Sequence, residues 1–89
     1  MYKVIGYYIE ASLRYYSDGW YTQEVYREEL DESPTEEYLE RLRGEVEAEY
    51  VDDPENQEIW IEYGELAYPA EEPPEGRSWN KLYLAKGVI

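Results

Sequence analysis

The chain has no cysteine, no histidine and no phenylalanine among its 89 residues. Without cysteine there can be no disulfide framework, no thiolate zinc site and no thiol nucleophile. Without histidine the commonest general base and transition-metal ligand is missing. Positive charge is scarce: 8 Lys and Arg stand against 22 Asp and Glu, a net charge of −14. A field of that sign repels nucleic acid and anionic membranes and attracts basic surfaces. Long apolar runs are absent too, with nothing near the roughly 18 residues that a membrane span requires. Met1 to Gly6 show no charged region followed by an apolar stretch, so no signal peptide is read there. A cytoplasmic protein is expected.

What is present is apolar and aromatic enough to fold. Hydrophobic residues make up 43% and aromatic residues 17%, too many for a disordered acidic tail. The length predicts a single domain over 1–89 with a small core.

Residues 2–16 predict a strand. Ile5, Tyr7, Ile9, Ala11, Leu13 and Tyr15 alternate with Gly6, Tyr8, Glu10, Ser12, Arg14 and Tyr16. So long a strand calls for a bulge or bend near Gly6 or Ala11-Ser12. Ser17-Asp18-Gly19 is a turn signal, and 20–30 read as the returning strand of a hairpin. Ser33, Pro34 and Glu36 have the pattern of a helix N-cap, first position and capping box. Leu39, Leu42, Val46 and Tyr50 then share one helical face, which predicts a helix at about 34–51. Gly44 inside it marks either close packing on the sheet or a weak point. Asp52 to Asn56 form a turn, 57–67 a third strand, 68–78 a proline-containing loop and 79–85 a last strand. The order β-β-α-β-β predicts an α+β fold, an antiparallel sheet with one helix packed on one face.

Nothing in this pattern points to catalysis. Ser12, Ser17, Ser33 and Ser78 have no histidine to activate them, and no spacing favours a Ser–Lys pair. With 22 acids, some carboxylate pair always lies at a glycosidase-like distance, so such a pair carries no information. Asp52-Asp53-x-Glu55-x-x-Glu58 gathers oxygen ligands but lacks the glycine and alternation of an EF-hand, and reads as a solvated turn. No phosphate-binding or dinucleotide fingerprint occurs. The chain is expected to be no enzyme, with no catalytic residue, no metal and no cofactor.

The charge is concentrated. Residues 1–23 sum to zero, 24–75 carry 20 acids against Arg27, Arg41 and Arg43, and 76–89 carry a net +3. Solubility alone asks for a net charge of only about 2–8 in magnitude on a small domain. The excess favours acids that serve an interaction. Helical neighbours three or four apart lie about 5–6 Å from each other, and same-face strand neighbours about 6.6 Å. Those separations are similar in scale to the spacing of nucleic-acid phosphates. Rows of carboxylates on a rigid scaffold could therefore enter a groove lined with Lys and Arg. The candidate partner-binding residues are Glu36, Glu37, Glu40 and Glu47 on the helix, Asp52, Asp53 and Glu55 in the turn, and Glu58 and Glu62 on the third strand.

The 12 tyrosines and 3 tryptophans add a second feature. Tyr7-Tyr8, Tyr15-Tyr16 and Trp20-Tyr21 place aromatics on both faces of the first hairpin, and one helix covers one face only. The uncovered aromatics predict a homodimer interface containing Tyr8, Tyr16 and Trp20. The near-neutral hairpin suits it, because contact through the acidic middle would bring like charges together.

In size, charge and absence of cysteine and catalytic motifs, the whole chain resembles the DNA-mimic inhibitors made by bacteriophages. That group includes inhibitors of uracil-DNA glycosylase, of restriction enzymes, of CRISPR effectors and of the nucleoid protein HU. The resemblance is one of composition and transfers no residue by motif. It implies a phage-encoded protein in the host cytoplasm that occupies the DNA site of a basic DNA-binding protein and itself binds neither nucleic acid nor membrane. The alternative is an acidic adaptor that binds through its Tyr/Trp surface without mimicry.

Overall fold

A hairpin of two long strands is the frame on which the rest is built. The computed structural model describes residues 2–69 and 81–89. The elements are β1 (Tyr2–Tyr16), β2 (Trp20–Leu30), α1 (Glu36–Tyr50), β3 (Gln57–Pro69) and β4 (Leu82–Val88). Among the described residues they form one antiparallel sheet of order β2-β1-β3-β4 with one helix, the expected α+β fold. The β1–β2 turn uses Asp18 at φ 57° and Gly19 at φ 146°, conformations that Asp tolerates and Gly favours.

Both bulge positions expected in β1 are occupied. Pairing with β3 slips between Val4 and Gly6, and pairing with β2 slips between Ala11 and Ser12. The second slip leaves Val25 as the extra residue of β2. Because side chains alternate, one extra residue reverses the phase of the strand beyond it. Glu24 and Glu28 therefore lie on opposite faces, although an uninterrupted strand would place them together.

The helix starts later than the capping pattern implies. Thr35, not Ser33, is the N-cap, and its hydroxyl accepts from the Tyr38 amide at 3.1 Å. Pro34 lies before the helix, and no capping box forms because N3 is Tyr38. Leu39, Leu42 and Val46 are buried against Ile9, Ala11, Ile59 and Ile61. Tyr50 stays at the rim, its hydroxyl 3.4 Å from the Val25 carbonyl. Gly44 is exposed, and an added Cβ would meet nothing within 4 Å, so its role is not close packing. The third strand runs two residues further than expected. The last strand runs to Val88, and its expected start at 79–80 lies outside the described residues.

Candidate acidic surface and aromatic face

The two faces of the sheet differ in chemistry. On the helix side, Glu28 of β2 accepts from the hydroxyls of Tyr26 and Tyr38, each at 2.7 Å, which ties the sheet to α1. That carboxylate pushes the Tyr26 hydroxyl up to about 12, with burial adding to the shift, and raises Tyr38 as well.

No described helix covers the other face. Tyr8 is fully buried there. It stacks edge-on against Tyr83 at 5.1 Å and donates its hydroxyl to Glu62 at 2.9 Å. Burial, then the Glu62 hydrogen bond, raises its pKa well above the ordinary tyrosine range. Arg27 bridges Glu10 and Glu24 and lies over the Tyr83 ring. Further along, Arg14 is held between two rings, 4.9 Å from the Trp20 centroid and 4.6 Å from that of Trp60. Trp20 also packs edge-on against Tyr16.

The nine candidate acids do not form one surface. Glu36, Glu40 and Glu47 project within about 40° of one another around the helix axis. With Arg43, Gly44 and Ile89 they line a shallow groove of about 380 Å³ between α1 and the last strand. Glu37 is exposed elsewhere on the helix. Asp52, Asp53 and Glu55 lie in the exposed turn after α1. There the Gln57 side-chain carbonyl caps the Asp52 and Asp53 amides at 2.9 and 3.0 Å, and Asp53 accepts from Asn56. Glu58 and Glu62 point to the helix-free face, away from the other seven. Glu62 is moreover occupied by the Tyr8 hydroxyl.

Ion pairing divides the acids further. Among the described residues the ion pairs are Arg27 with Glu10 and Glu24, Lys81 with Glu29 and Lys86 with Glu65, all between sheet residues or at the sheet edge. Among the described residues, no acid of α1 or of the following turn has a cationic partner within ion-pair distance. Arg41, the nearest candidate by sequence, lies over the Tyr38 ring instead. Two further exposed acids, Glu45 and Glu49, extend the helical set. Their helical spacing alone could have included them.

Of the three expected interface aromatics, Tyr16 and Trp20 are about half exposed, whereas Tyr8 offers no surface. Sequence reasoning did not include Trp60 and Arg14, the residues that hold the exposed ring cluster together. Alternation of Trp60 with Ile59 and Ile61 was the available signal. No three carboxylates converge as a metal cage would need among the described residues, and no described helix is long and apolar enough to cross a membrane. No protein-family model, curated protein or solved structure matches the chain.

Proposed function

We propose that the chain is a DNA-mimic inhibitor, whose α1 and α1–β3 turn occupy the basic DNA-binding surface of a protein partner. The observation that carries this reading is the segregation of charge. Among the described residues, four sheet acids have a cation within ion-pair distance, while no exposed acid of α1 or the turn has one. Unpaired carboxylates on a rigid element gain most from meeting Lys and Arg, and their counterions are released as those of DNA are. Glu36, Glu37, Glu40, Glu47, Asp52, Asp53 and Glu55 serve as pseudo-phosphates in this reading. Glu58 and Glu62 do not, because they face the other way. The protein acts by binding, not catalysis, and its site of action is the cytoplasm in which such a partner handles DNA.

The test is retention of bacterial lysate proteins on the immobilised chain, eluted by a salt gradient with and without added duplex DNA. Mimicry predicts a basic DNA-binding protein that elutes at moderate salt and is displaced by excess DNA. A retained partner that binds no DNA, or one that survives high salt, overturns the reading in favour of an aromatic adaptor.

A further inference from the structure

We infer that the helix-free face of the sheet is a self-association surface, with a second copy of this chain as its occupant. The face is built for contact. Trp20 and Trp60 are 54% and 43% exposed, and Arg14 clamped between them fixes both rings. Tyr16, 52% exposed, continues the patch, and Trp, Tyr and Arg are the residue types that dominate interface energetics. Fixed rings lose little freedom on association.

Charge selects the occupant. On this face Arg27 and Lys81 pair with Glu10, Glu24 and Glu29, Glu62 accepts from Tyr8, and Glu58 lies opposite Arg14 in the strand register, so a like copy meets less repulsion here than at the helix. The acids of α1, none of which has a cation within ion-pair distance among the described residues, lie across the molecule. Two copies joined through their helix-free faces would stack sheets about 10 Å apart with a helix layer about 10 Å outside each. The two acidic helices would then be separated by roughly 30 Å, several Debye lengths at physiological salt. Joining through the helices would bring two unpaired acidic rows together. The molecule is also broad enough. Its extents of 51 × 32 × 17 Å make a wide, thin slab, and a standard interface needs about 800 Å² per partner. The dimer would present two acidic surfaces pointing in opposite directions, a geometry that stands whether or not those surfaces bind a DNA-binding protein.

Sedimentation of the intact protein at physiological salt, from micromolar to about 0.5 mM, reads the association directly. A concentration-dependent dimer is expected, weakened at least about 10-fold by Trp60→Ala and changed by less than about 2-fold by Glu45→Gln. Circular dichroism establishes that Trp60→Ala still folds. The absence of native cysteine allows a second readout with spin labels at Thr22→Cys, on the helix-free face, and Glu45→Cys, on the helix. Labels at 22 should lie closer across the dimer than labels at 45. A protein that stays monomeric throughout, or a dimer with the closer pair at 45, overturns the inference.

Discussion

Glu28 accepts two tyrosine hydroxyls at once, and its consequence appears at alkaline pH. Its hydrogen bonds hold the protons on Tyr26 and Tyr38 in the folded protein. The unfolded tyrosines ionise near pH 10, while folded Tyr26 keeps its proton until about 12. Between those values the unfolded chain binds fewer protons, so stability falls as pH rises. Urea unfolding at pH 9, 10 and 11, values chosen around the roughly pH 10 unfolded pKa, should show that decline, with a shallower slope in Tyr26→Phe. An unchanged slope would remove Tyr26 from this account. Gly44 makes a second test at this scale. Its exposure and the open space around it predict that Gly44→Ala raises stability by about 0.5–1 kcal/mol in the same assay. Gly64 is the contrast, since an added Cβ there would land on the Leu84 carbonyl oxygen.

At the scale of the element, α1 depends on where it begins. Thr35 caps the Tyr38 amide, so Thr35→Ala should cost about 1 kcal/mol in thermal or urea unfolding. Ser33→Ala should cost much less, and equal costs would mean that the helix begins earlier. The difference between Ser33 and Thr35 illustrates what the sequence makes legible. Strand alternation over 6–16, the Asp18-Gly19 turn and the Leu39, Leu42, Val46 stripe are local periodicities, and each appears where it was read. The need for bulges was legible from the length of β1. Their effect on facing was not, because the extra residue Val25 is set by pairing with a distant part of the chain. Period-two alternation alone would therefore put Glu24 and Glu28 on one face, whereas the bulge puts them on opposite faces. Similarly, the alternation that places Tyr8 away from the helix gave no sign that Tyr83, Arg27 and Glu62 enclose it, since those contacts join residues far apart in sequence.

For the whole molecule, a net charge of −14 is less informative than its placement. Among the described residues, the sheet carries the ion pairs and the aromatic clamp, and the acids of α1 and its turn have no cation within ion-pair distance. Seven of the nine acids chosen from the sequence remain in the proposed surface because they are local to that helix and turn. The other two were separated from them by the thickness of the sheet, which a linear spacing argument does not contain. The most direct measurement is the salt dependence of binding to the partner retained from lysate, for the native chain and for the triple variant Glu36→Gln, Glu40→Gln, Glu47→Gln. If these acids stand in for phosphates, the triple variant should bind more weakly, its slope of log affinity against log salt should be shallower by roughly 2–3, and it should compete less well with DNA. An affinity and a salt slope unchanged by the triple variant would contradict the central claim.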